Sequence, residues 1–129
     1  NTLFVGRTVG LGAKTKEVYS LDVTNPAVTP LPTLGYMQAL DSGSPTSVNG
    51  IAVRDYLLFL ITNNQFQVYK IDQTTVPWTF TQWTAPLIFP SQGGGNSAGT
   101  ALGCEGNYFF VGSLPSGNQK GSLSIITGS

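Results

Sequence analysis

The chain has no histidine and a single cysteine, Cys104. Without histidine it cannot build a Ser-His-Asp or Cys-His nucleophilic centre, or a histidine zinc site, from its own residues. One cysteine forms neither an internal disulfide nor a thiolate metal site. Its neighbours Gly103 and Glu105 supply no positive charge to stabilise a thiolate, so Cys104 reads as a small strand residue. Charge is scarce too, at 9 % of the 129 residues, against roughly 25 % in ordinary soluble domains. Six basic and six acidic side chains cancel, and a neutral surface has no field to hold a polyanion, which makes nucleic acid and anionic membranes poor partners. Lys14-Thr15-Lys16, the nearest approach to a basic cluster, reads as a solvated loop. The longest apolar run, residues 56–61, is far short of the roughly 20 residues of a membrane helix, so no membrane insertion is expected. No signal peptide is visible. The start at Asn1 fits a processed chain or a portion of a longer one.

In place of charge the chain has 16 glycines, 8 prolines and abundant Thr, Ser, Asn and Gln, with 40 % hydrophobic residues. That mixture disfavours long exposed helices, which need Lys, Glu and Arg on their wet face. It suits strands joined by tight turns. The same composition leans towards an extracellular, cell-surface or virion setting.

An internal repeat organises the strands. Leu3-Phe4-Val5-Gly6, Leu58-Phe59-Leu60-Ile61 and Phe109-Phe110-Val111-Gly112 are short apolar segments, their phenylalanines separated by about 50 residues. Each is followed by a second strand: Val18-Tyr19-Ser20-Leu21-Asp22, Val68-Tyr69-Lys70-Ile71-Asp72 and Leu123-Ser124-Ile125-Ile126-Thr127. Lead strands at 49–53 and 100–104 precede the second and third copies. The Pro-rich stretch reaching Leu34, and Pro77-Trp78-Thr79-Phe80-Thr81, suit outer edge strands. A period of about 50 residues holding about four strands is the signature of a β-propeller blade. The expected fold is therefore all-β: a partial β-propeller of about two and a half four-stranded antiparallel blades, in one repeat segment (1–129) with copies at 1–45, 46–92 and 93–129. In strands the order reads B-C-D, A-B-C-D, A-B-C. Residues 57–61 and 108–111 are apolar at every position, which predicts burial on both faces. Loops are expected at 41–45 and 91–96.

Ser97-Ala98-Gly99-Thr100-Ala101-Leu102, Gly106-Asn107-Tyr108-Phe109-Phe110-Val111-Gly112 and Lys120-Gly121-Ser122-Leu123-Ser124-Ile125-Ile126 together resemble an FG-GAP repeat of the integrin type. The middle copy, with Gly50-Ile51-Ala52-Val53, Tyr56-Leu57-Leu58-Phe59-Leu60 and Gln67-Val68-Tyr69-Lys70-Ile71-Asp72, resembles LVIVD-type surface propeller repeats. Asp22-Val23-Thr24-Asn25-Pro26 is similar to the strand-ending turn of that second family. Both resemblances imply a propeller used for recognition or adhesion. Integrin-type repeats often carry a calcium loop with acidic residues at alternate positions. Here Glu17, Asp22, Asp41, Asp55, Asp72 and Glu105 include no such pair, so calcium is not carried over.

No catalytic residues, metal ligands or cofactors are assigned, and the chain is not expected to be an enzyme. Asp22 and Asp72, at equivalent strand ends, read as turn caps, and Asp55 beside Arg54 as a surface turn. Gly93, Gly95 and Ala98 match the looser dinucleotide fingerprint, but a strand pattern follows where a helix is required, so the match is chance. Trp78, Phe80 and Trp83 form the densest aromatic group and are the candidate ligand-binding residues. In a regular strand Trp78 and Phe80 share a face and Trp83 points away. They either stack on a sugar or fill the wide outer gap between blades. Asn-X-Ser/Thr acceptor sites are absent, which argues weakly against a vertebrate-type glycoprotein.

An unclosed propeller leaves apolar sheet faces and strand edges in water. Either the rest of a longer chain or identical subunits are expected to cover them. The leading functional expectation is a non-enzymatic extracellular recognition or adhesion module that binds a protein or glycan through its loops. The alternatives are a structural subunit of an extracellular filament or virion, and the scaffold part of a larger propeller enzyme.

Overall fold

A computed structural model describes residues 1–7, 16–88, 98–114 and 122–127. Lys14 and Thr15, the 91–96 loop and the Gly93–Gly95 part of the fingerprint match lie outside them. The described residues form strands, turns and bends, with no helix.

Three antiparallel meanders follow one another along the chain. The first pairs β1 (Thr2–Gly6), β2 (Val18–Asp22) and β3 (Thr33–Met37). A short hairpin, β4 (Leu40–Asp41) and β5 (Ser44–Pro45), leads to the second. That sheet runs β6 (Gly50–Arg54), β7 (Leu57–Ile61), β8 (Gln65–Asp72). Its outer edge is split: β9 (Thr79–Gln82) pairs with the end of β8, and β10 (Leu87–Ile88) with its beginning. The third sheet is β11 (Ala98–Glu105), β12 (Tyr108–Leu114), β13 (Ser122–Thr127).

Turn chemistry explains the hairpins. Asp55-Tyr56 and Gly106-Asn107 close the β6–β7 and β11–β12 hairpins, and the first residue of each has positive φ, +55° and +58°. Gly takes that conformation without cost, and Asp is among the side chains that tolerate it. Ser42 and Gly43, at φ +51° and +84°, give the β4–β5 hairpin the paired positive φ of a type I′ turn. This hairpin stands where the sequence predicts a loop, because a two-strand ladder this short carries no alternating pattern to read.

Two cores hold the sheets face to face. In β7, Leu58 and Leu60 enter a cluster with Val18, Val48 and Ile71, against which Phe4, Trp78 and Phe80 of the first gap pack. Phe59 and Ile61 enter the other cluster, with Phe66, Val68, Phe109 and Val111. The rings of Phe59 and Phe109 lie 4.3 Å apart between centroids. β7 is thus buried on both faces from Leu58 to Ile61, as its uninterrupted apolar run predicts, while β6 and β9 of the same sheet are half-buried or exposed. The third sheet departs from that expectation. Phe109 and Val111 are buried, but Tyr108 is 52 % exposed, and Leu123 and Ile125 are 66 % and 59 % exposed. Among the described residues nothing packs on that outer face, so apolar sequence there is not matched by burial.

The repeated second strands are equivalent in position but offset in register. Phe4 pairs with Ser20, whereas Phe59 pairs with Val68 and Phe110 with Ile125. The sequence match of Val18 with Val68 is therefore two residues out of structural register. A slip of two preserves the face, so Val18 and Val68 both still reach a core. The expected outer strands fall later than the proline runs, at Thr33–Met37 and Thr79–Gln82.

Asp22 and Asp72 end their strands in identical turns. Thr24 N donates to Asp22 Oδ1 at 2.9 Å, and Thr74 N to Asp72 Oδ1 at 2.9 Å, with Thr74 Oγ1 donating at 2.6 Å. Hydrogen bonds from the threonine side chains, then from their backbone N–H, hold both carboxyls below the ordinary 3.8. A depressed folded-state value means stabilisation present above the unfolded value and lost as pH falls through the folded one. The urea midpoint should be flat near neutrality and fall below about pH 4, the carboxylate range. Asp22→Asn with Asp72→Asn should flatten that fall, which a pH series of urea titrations measures.

The double burial of β7 makes a second prediction. Phe59→Ala should cost about 3–5 kcal/mol and Leu58→Ala about 2–5 kcal/mol in urea unfolding, because each opens a cavity in a different core. Exposed Leu123→Ser should stay within about 0.5 kcal/mol.

Candidate ligand-binding clefts

The three candidate aromatics do not converge on one site. Trp78 lies against Gly35: a Cβ on Gly35 would meet the Trp78 Cβ at 2.8 Å and its carbonyl oxygen at 3.0 Å. Trp78 N also donates to Leu34 O at 2.6 Å. Only glycine lets the edge of the first sheet come so close to the second. Trp78 and Phe80 are half-buried against the core between those sheets. Trp83 is 58 % exposed on the opposite side, and the Lys70 ammonium sits 5.7 Å from its ring centroid. The alternation expected from strand period holds: two rings on one face, one on the other.

Trp83 rims a cleft of about 590 Å³ between the second and third sheets. Its floor is core: Phe59, Phe66, Val68 and Phe109. Arg54, Asp55 and Asn107 form a polar border. The Arg54 guanidinium donates to Gly106 O and, at 3.3 Å, to Asn107 Oδ1, tying the two equivalent hairpin turns together. An apolar group can enter the floor while its polar end meets the border.

A second cleft, of about 470 Å³, opens between the first and second sheets beside the β4–β5 hairpin. Gln65, Gln67 and Tyr69 share one face of β8 and line it. Gln67 Nε2 donates to Leu40 O at 2.6 Å and to Gln65 Oε1 at 2.9 Å, and Gln67 Oε1 accepts from Tyr69 OH at 2.8 Å. Gln65 Nε2 reaches Ser42 Oγ at 3.4 Å. Burial pushes the Tyr69 phenol above its ordinary 10.0, so it stays a neutral donor. Phe80 also lines this cleft, the one sequence candidate to do so.

The two buried carboxylates have structural partners. Asp41 is buried and accepts from Thr62 Oγ1 at 2.9 Å and Asn64 N at 3.0 Å, which anchors the β4–β5 hairpin to the β7–β8 turn. Glu17 is fully buried and accepts from Ala39 N at 2.9 Å. Sequence reasoning assigned neither of these, nor the glutamine row. The only available signal was alternation of Gln65, Gln67 and Tyr69, which in isolation reads as a wet strand face. Cys104 is an exposed residue of β11. Among the described residues no group of three or more His, Cys, Asp or Glu could hold a metal ion, and no helix is long and apolar enough to cross a membrane. Comparison with protein-family models, curated proteins and solved structures finds no match to the chain.

Proposed function

We propose that the chain is a segment of a β-propeller, its three sheets successive blades, and that it works as a non-enzymatic extracellular recognition module for a protein or glycan. The supporting observation is the direction of the repeat. Phe4 packs into the gap between the first and second sheets, and Phe59 into the gap between the second and third. Phe110, their repeat equivalent, alternates with the buried Phe109 and Val111 and so faces the far side of the third sheet. The same row looks the same way in every copy, as it does when sheets are added round an axis. Carboxylates engaged in turns and hairpin anchors, rather than paired across a cleft, support binding over hydrolysis. The Trp83 cleft is the contact surface on this reading, since an exposed aromatic beside a buried apolar floor is a characteristic anchor for a partner.

The experiment is a screen on glycan and extracellular-protein arrays. The chain is expected to bind a defined subset, and Trp83→Ala to weaken that binding at least tenfold with an unchanged thermal midpoint. No binding on either array, or equal binding by Trp83→Ala, defeats the reading.

A structural subunit of an extracellular filament or virion is the second reading, favoured by the exposed apolar side chains on the outer faces of the first and third sheets. Tyr108, Leu123 and Ile125 form one; Leu3 and Tyr36 belong to the other. On that reading the chain forms stable multimers at micromolar concentration without ligand. Ile125→Lys would then dissociate them without unfolding, as read by light scattering and circular dichroism. A wild-type chain that runs as a 13.6 kDa monomer removes it.

A further inference from the structure

The cleft between the first and second sheets has chemistry that its structural role does not use. Gln67 is fully committed: both of its Nε2 hydrogens and its carbonyl oxygen have partners. Together with Gln65 and Ser42 it clamps the β4–β5 hairpin onto β8. Gln38, which lines the same cleft between β3 and β4, is different. Its Nε2 is buried and donates to nothing. An amide left so carries a desolvation cost that an apolar side chain of the same length would not incur. Each such group in a folded protein calls for an explanation, and a ligand that accepts from it is one.

We infer that this cleft binds a small uncharged ligand rich in hydroxyl or carbonyl oxygen, a neutral sugar being the class that fits, with the Gln38 amide rotating from its buried position to donate to it. The volume falls within the roughly 300–1,000 Å³ range of small-molecule sites. The lining contains no Asp, Glu, Lys or Arg, so a charged ligand would be desolvated without a counter-charge. The remaining open groups are of the neutral kind: the second Gln65 amide hydrogen, the Ser42 hydroxyl hydrogen, and the carbonyl oxygen and second amide hydrogen of exposed Gln82, whose first amide hydrogen donates to Thr84 O at 3.0 Å. Phe80 and Tyr69 add aromatic surface for the C–H face of a sugar ring. This inference rests on the cleft alone and is independent of the Trp83 surface and of the propeller reading.

The test uses the 129-residue chain against glucose, galactose, mannose, N-acetylglucosamine and their linear trisaccharides, with glucuronic acid as the charged comparison. Binding is read by saturation-transfer NMR and titration calorimetry. At least one neutral saccharide is expected to bind, with glucuronic acid at least tenfold weaker. Gln38→Met, which keeps length and removes the unpaired donor, is expected to weaken binding at least tenfold with a thermal midpoint no lower than wild type. Gln82→Ala, at an exposed position, should weaken it a few-fold. Four outcomes overturn the inference: no neutral saccharide binds at millimolar concentration; glucuronic acid binds best; Gln38→Met binds as wild type; or Gln38→Met melts several degrees lower, which would assign the amide to the fold. Saccharide binding abolished by Trp83→Ala but kept by Gln38→Met would place the ligand in the other cleft and overturn it equally.

Discussion

One constraint governs the molecule: β7 must be apolar on both faces because a sheet lies against each. Leu58 and Leu60 face the first sheet, Phe59 and Ile61 the third. A sheet with one wet face could tolerate errors in half of its positions; this strand has none to spare. It also fixes the sequence around it. The strand beside it must turn tightly at Asp55-Tyr56 to bring β6 back in register, and the two clefts exist only because β7 holds the sheets at a packed distance. Close packing of the interior makes that distance stiff.

Holding three sheets by faces leaves the connections between them to polar chemistry. Between the first and second sheets the chain makes the β4–β5 hairpin, and Asp41 is drawn below the surface to receive Thr62 Oγ1 and Asn64 N. A buried carboxylate is tolerable only with such donors. Gln65 and Gln67 serve the same end from the neighbouring strand, offering amides where the hairpin presents a backbone carbonyl and a hydroxyl. The hairpin is therefore not loose packing around a core but a second, hydrogen-bonded layer laid on β8.

The longer strands and their order were legible because their signal is local, whereas the two-residue strands β4, β5 and β10 were not. Apolar runs near 4, 59 and 110, the Asp-X-Thr turns at 22 and 72, and strand alternation at 78–83 are all patterns within a few residues, and the structure places strands and turns there. The whole-sheet features were not. The two-residue offset of Val18 against Val68 depends on pairing partners far along the chain, and a slip of two leaves the face pattern unchanged, so periodicity is blind to it. Exposure of Tyr108 and Leu123 was illegible for the same reason: an apolar residue states a preference, while burial depends on what is placed opposite. The glutamine row lay deepest. Gln65 and Gln67 are outwardly ordinary strand polars, and only the arrival of residues 38–42 on top of them turns a wet face into a lined cleft.

The low charge and the nature of the clefts share one cause. In a stack of sheets the central strands of the middle one have almost no solvent-facing surface, so the usual places for Lys and Glu there disappear, and the polar residues that remain must be satisfied inside. Amides and hydroxyls meet that demand better than charges, because each can both donate and accept without the cost of burying an ion. The gap beside the β4–β5 hairpin then inherits a lining that is neutral and dense in directional hydrogen-bonding groups, set beside the rings of Tyr69 and Phe80, whereas the gap on the other side of β7 carries Arg54 and Asp55 at its border. The composition that lets the sheets stack thus leaves the first of these clefts with groups suited to hydrogen bonds and ring faces and with none for ion pairing.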